Sequence, residues 1–262
     1  MCSSATGFLH LFLANGVAGT SVFPGEELRL TSLAAPVANR AACFYQVAIG
    51  KKAVMAVTGV ILFAYVLAHL LGNLQIYSSD PEQINRYAAF LHDPGRKYLL
   101  WAARIILLAA VGLHIIASIQ LWLLKREARP IGYFKKDDVP TAYAARTMIW
   151  SGPIILGFVI FHVLQLTVGS VFPLRELGPN QPDVRANVVT GFQHPVVAGF
   201  YIFAMVLLSM HLFHGLWSMF QSVGLNHPRY TPALRRAAAV FAVLIGAGNI
   251  SIPLAVLMGL VT

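Results

Sequence analysis

The sequence predicts an all-α membrane protein, a bundle of five transmembrane helices. Three observations carry that expectation: 57% of the 262 residues are hydrophobic, only 11% are charged, and the mean hydropathy is +0.68. A soluble domain carries roughly 25% charged residues, so water alone is the wrong solvent for this chain. The net charge of +9 lies in short loops between apolar runs, which fits membrane topology and argues against nucleic acid as a partner. Cys2 and Cys43 are the only cysteines and supply neither a disulfide framework nor a metal-binding spacing.

A hydrocarbon core about 30 Å thick needs about 20 residues of helix. Five segments qualify: 53–77, 98–124, 147–174, 195–222 and 237–260. Four of them contain no Asp, Glu, Lys or Arg, and the second contains only Arg104. Helices satisfy their own backbone in lipid, and the short alternating strands of a barrel are missing. Pro153 and Pro253, inside the third and fifth spans, are tolerated as kinks. Gly246 and Gly248 in the fifth predict close helix packing. The links are polar and carry Pro81, Pro94, Pro130, Pro182 and Pro228, where a missing N–H does least harm. Residues 44–262 therefore read as one five-helix transmembrane domain. Residues 1–43 read as a peripheral or poorly ordered cytoplasmic extension, with a misplaced start site as the alternative. Their "GFLHLFLANGVAG" resembles the apolar part of a signal peptide without its basic n-region.

Lys and Arg set the expected orientation. Thirteen lie on one side: Arg29, Arg40, Lys51 and Lys52, six between Lys125 and Arg146, then Arg229, Arg235 and Arg236. Five lie on the other: Arg86, Arg96, Lys97, Arg175 and Arg185. The positive-inside rule places the N-terminus in the cytoplasm and the C-terminus outside, in a multi-pass protein of the cell's inner (cytoplasmic) membrane.

His10, His92, His194 and His227 lie in the tail or at helix ends and read as ordinary. His69, His114, His162, His211 and His214 lie within spans, where ionisable groups are rare and usually specific in purpose. For any single one, an interhelical hydrogen bond is the bland explanation; one or two in each of four consecutive spans weaken it. At about 1.5 Å per residue, His69 and His162 lie about 22–24 Å above the cytoplasmic end, and His114 and His211 about 15–17 Å. The four sort into two level pairs joining alternate helices. Bis-imidazole ligation of haem b is the leading reading, since a flat macrocycle needs opposed axial nitrogens and small residues nearby. Gly72 beside His69, Gly215 beside His211, and Ala110 and Ser118 around His114 supply the small residues. Zinc would want four ligands at one height. Copper would need a third ligand, which only His214 could provide.

"AHLLGNL", "GLHII", "FHVLQL" and "MHLFHGLWSMFQ", in the first four spans, together resemble one family. It is the dihaem cytochrome b membrane-anchor subunit of succinate dehydrogenase and fumarate reductase, the five-helix, single-polypeptide type. The resemblance covers about residues 44–260. It implies a distal haem held by His69 and His162, and a proximal haem held by His114 and His211. Gly215-Leu216-Trp217 selects His211 as ligand and leaves His214 in a secondary role. The resemblance further implies partner flavoprotein and iron–sulfur subunits, electron transfer to or from a quinone such as menaquinone, and a higher oligomer of the complex. Some fumarate-reducing members carry a transmembrane glutamate where this chain has Ser209, so a glutamate-based proton path is not expected. A haem-bearing anchor of a hydrogenase or formate dehydrogenase is the alternative, followed by a histidine-dependent transporter. A transporter should show inverted repeats or broken helices, and the sequence has neither.

Among the remaining residues, Arg104 reads as a snorkelling interface residue or as a partner for the distal haem propionate. Trp101, Trp122, Trp150 and Trp217 read as the aromatic belt. Trp217 and Ser218 are also candidate contacts for quinone or a propionate. Lys51 and Lys52 read as positive-inside anchors and as candidate contacts for the iron–sulfur partner.

Overall fold

A computed structural model describes residues 45–128, 141–178 and 181–262. The extension over 1–43 and most of the link after the second span lie outside them. The chain divides into two compact units between Lys52 and Ala53. In the described part of the first, the Lys51 ammonium donates to the carbonyls of Tyr45 (2.8 Å) and Gln46 (3.1 Å).

Five helices are long and apolar enough to cross a membrane, and the architecture is all-α. They are α1 (Ala48–Asn73), α3 (Lys97–Glu127), α4 (Thr141–Val163), α6 (Pro195–Ser222) and α7 (Thr231–Leu257). The short helices α2 (Gln83–His92) and α5 (Val184–Phe192) and a two-stranded antiparallel ribbon, β1 (Glu176–Gly178) with β2 (Gln181–Pro182), fill links that read as plain connections. The third span stops at Val168 rather than 174, because the helix widens into a π-turn over Leu164–Val168 and Gly169 (φ 76°) ends it. The fifth begins at Thr231 rather than 237, with Pro232 in its first turn, where its missing N–H costs nothing.

The main chains of α6 and α7 pack directly along their length, and α4 packs on α6. Small residues permit this approach: Ala198, Ala204, Ala238 and Ala242 are all buried. Ser209 donates to the Ala242 carbonyl at 2.5 Å, and a Cβ at Gly246 would stand 2.6 Å from the Ser209 oxygen. Gly248 is packed likewise, its Cβ position 2.9 Å from Leu70 of α1. Gly246→Val is therefore expected to destabilise the protein by about 1–3 kcal/mol, the usual cost of overpacking. Thermal unfolding in detergent checks this, with an unchanged Tm as the contrary result.

α1 and α3 join the bundle mainly through side chains rather than by close backbone packing. At one end of the bundle α2 and α5 form a cap. Buried Asn85 donates to Glu82 and Asp183 and accepts from the Arg185 backbone N–H, while the Arg185 guanidinium donates to the carbonyls of Ile76 and Thr262. Asp183 caps α5 by accepting from the Ala186 N–H. The loop between α6 and α7, with Arg229, lies at the opposite, basic end.

Candidate site: two interhelical histidine pairs

His69 of α1 meets His162 of α4, with ring centroids 5.7 Å apart and planes at 88°. His114 of α3 meets His211 of α6 at 6.4 Å and 55°. Alternate spans are thus joined, first to third and second to fourth. Among the described residues no group of three His, Cys, Asp or Glu comes together, so neither pair gains a third ligand of those types.

What makes the pairs chemically specific is the other nitrogen of each ring. Thr58 Oγ1 lies 3.1 Å from His114 Nδ1, and its single proton goes to the Val54 carbonyl at 2.8 Å. The hydroxyl oxygen can then only accept from the ring, which places a proton on Nδ1 and leaves the Nε2 lone pair uncommitted. Ser151 repeats the arrangement at longer range, 3.4 Å from both His211 Nδ1 and the Met148 carbonyl. His162 Nδ1 lies 3.2 Å from the Tyr201 hydroxyl, and that hydroxyl donates to Gln165 Oε1 at 3.0 Å. Again the oxygen's proton is spent, so Nδ1 of His162 donates. A hydrogen-bonded Nδ1–H with a free Nε2 is the usual state of a histidine that binds metal. The partner also fixes the ring's orientation.

Tyr201 is clamped between aromatic rings, 4.8 Å from Phe192 and 4.9 Å from Phe158. Gln165 is 1% exposed and belongs to the π-turn that ends the third span. A regular α-turn would present this position differently, and π-turns gather at functional sites. Its Nε2 has no hydrogen-bond partner, and a side chain at Gly191 would collide with it. His69 has a different support, stacking on Tyr65 at 5.5 Å and 20°.

Other expected residues fall out as follows. His214 sits half-buried one turn from His211, outside both pairs. The Arg104 guanidinium lies over the Trp101 ring at 5.1 Å. Gly215 has open space where a Cβ would be, and Ala110 beside His114 is buried. Gly72 does not flank His69 as open space: Tyr87 of α2 fills it, 2.8 Å from a would-be Cβ. Trp217 is no belt residue, being 9% exposed and packed with Leu216 and Ala238, because its face of α6 turns to α7. Trp101 and Trp150 are 58% and 73% exposed, as lipid-facing rings are. His92 bonds the Ala88 carbonyl, His194 stacks on Phe172, and His227 accepts from the Arg229 N–H.

Thr58, Ser151, Tyr201 and Gln165 were not singled out from sequence. Their partners lie 56, 60, 39 and 36 residues away along the chain, and hydroxyl side chains are common in membrane helices. No protein-family model, curated protein or solved structure matches the chain.

Proposed function

We propose that the chain is the membrane-anchor cytochrome b subunit of a succinate:quinone oxidoreductase, conducting electrons between an iron–sulfur subunit and membrane quinone. The observation that supports it best is the two histidine pairs with three of their four Nδ1 atoms engaged. Imidazoles bonded at about 2 Å to opposite sides of one metal ion have centroids about 6 Å apart. The two pairs, at 5.7 and 6.4 Å, bracket that spacing, so the residues fit two bis-histidine haems b. His69 and His162 would hold the distal group, His114 and His211 the proximal one. Bound haem supplies one-electron chemistry, its potential set by ligands, hydrogen bonds and burial.

The chain's own residues do the rest. Thr58, Ser151 and Tyr201 hold three of the rings in one tautomer, and Tyr65 braces the fourth by stacking. The apolar faces of the spans exclude water, which keeps electrons on a defined route. The basic end would face the cytoplasm, where the iron–sulfur and flavoprotein subunits dock, leaving the C-terminus outside; menaquinone is the quinone proposed. Arg104 would partner a propionate of the distal group, and His214 would have a secondary role at the proximal one.

The test is a dithionite-reduced minus oxidised spectrum of the purified membrane protein with pyridine haemochrome quantification. The expected result is a b-type signal with about two haems per chain. One haem or none overturns the reading. Succinate-dependent quinone reduction by the copurified complex then separates this anchor from that of a hydrogenase or formate dehydrogenase.

A further inference from the structure

At the basic end, a cleft of about 420 Å³ opens between the last turns of α6 and the first turns of α7. Phe213 and Trp217 line its α6 side; Thr231, Pro232, Arg235, Arg236 and Ala239 line the other. We propose that this cleft binds one anionic glycerophospholipid, its phosphodiester held by Arg235 and Arg236 and its glycerol and upper acyl chains lying against Phe213 and Trp217.

Charge is the first argument. No Asp or Glu occurs between residues 184 and 262, so this third of the chain has no carboxylate of its own for either arginine. Among the described residues the one salt bridge is Arg86 with Asp80, at the capped end. Arg236 Nε donates only a long bond, 3.4 Å, to the Pro232 carbonyl. The positive-inside rule accounts for basic residues at this end. It does not account for two adjacent guanidinium groups lining one cleft with aromatic rings. Guanidinium groups bind phosphate oxygens through paired, charge-assisted hydrogen bonds, and two of them suit a phosphodiester monoanion.

The wall is the second argument. A free phosphate has no use for an indole and a phenyl ring below the cations, whereas a lipid presents an anion and a hydrocarbon in that order. A quinone head is neutral and gives two cations nothing to neutralise. A basic pocket between the ends of membrane helices is the kind of place where anionic headgroups settle.

The proposal is independent of the haem reading and is tested on the full chain, with its copurified partners where they are present. Native mass spectrometry from a mild detergent compares retention of added dioleoyl phosphatidylglycerol and dioleoyl phosphatidylcholine. One phosphatidylglycerol should be retained per chain, about tenfold or more above phosphatidylcholine, and Arg235→Gln with Arg236→Gln should abolish that preference. Arg236→Gln alone, expected to weaken it several-fold, decides the matter if the double variant does not accumulate. Four results overturn the proposal: equal retention of the two lipids, equal competition by inorganic phosphate, displacement of the lipid by a quinone analogue, or loss of a copurifying subunit with lipid retention unchanged.

Discussion

Under the proposed dihaem function, the His69→Ala variant is expected to keep one b-type haem and lose the other, and His211→Ala to lose the complementary one. His162→Ala should behave as His69→Ala, and His114→Ala as His211→Ala, because the structure joins the rings in those combinations. On the proposed reading, the affected haem would keep only one of its two histidines in such a variant, which would cost retention as well as potential. His214→Ala should keep both haems, since its ring belongs to neither pair. Difference spectra and pyridine haemochrome of the purified variants read all five. Haem loss in the His214 variant with retention in His211→Ala would reverse the assignment in the fourth span.

Tyr201→Phe is expected to raise the midpoint potential of one haem by tens of millivolts while leaving the other in place. The physical reason is the chain His162 Nδ1–H to Tyr201 to Gln165. A hydrogen bond donated by Nδ1 pushes electron density toward Nε2 and favours the oxidised metal. The phenol accepts more strongly because its own proton is given to Gln165. Phenylalanine keeps the clamp between Phe158 and Phe192 but removes the acceptor. Gln165→Leu should move the same potential in the same direction by less. Thr58→Val should move the other haem, because Thr58 serves His114. Redox titration followed optically separates the two; a shift of both by Tyr201→Phe, or of neither, would refute the assignment.

The five spans were legible because hydropathy is their cause: a run that dissolves in lipid is also a run that must form a helix there. The histidine pairing was legible because a rise of about 1.5 Å per residue turns sequence position into height. The ends of the spans were not legible to the same degree. "SVFPL" after Gly169 is as apolar as the helix before it, and only the π-turn at Gln165 and the left-handed glycine stop the third span. Conversely, "TPALRR" looks like a polar link, yet Pro232 opens the fifth helix there. The hydroxyls behind the histidines were hidden because nothing about one serine or threonine in an apolar run says which ring, tens of residues away, it will face. Tyr87 illustrates the same limit: that it occupies the notch at Gly72 depends on where α2, a short helix in a link that read as a plain connection, lands on α1.

The pairing of first span with third and second with fourth has a consequence for biosynthesis. As the chain leaves the ribosome, neither pair exists when the first two spans have inserted, although two of the four histidines are already in the membrane. The first pair closes with the third span, but the phenol that serves His162 arrives only with α6, which also carries His211. A nascent chain stopped after Val168 would thus hold His69 and His162 without Tyr201. Insertion of α6 completes both histidine pairs in one step, which makes that helix the decisive one for assembling them, and α7, packed along it, the latch that follows.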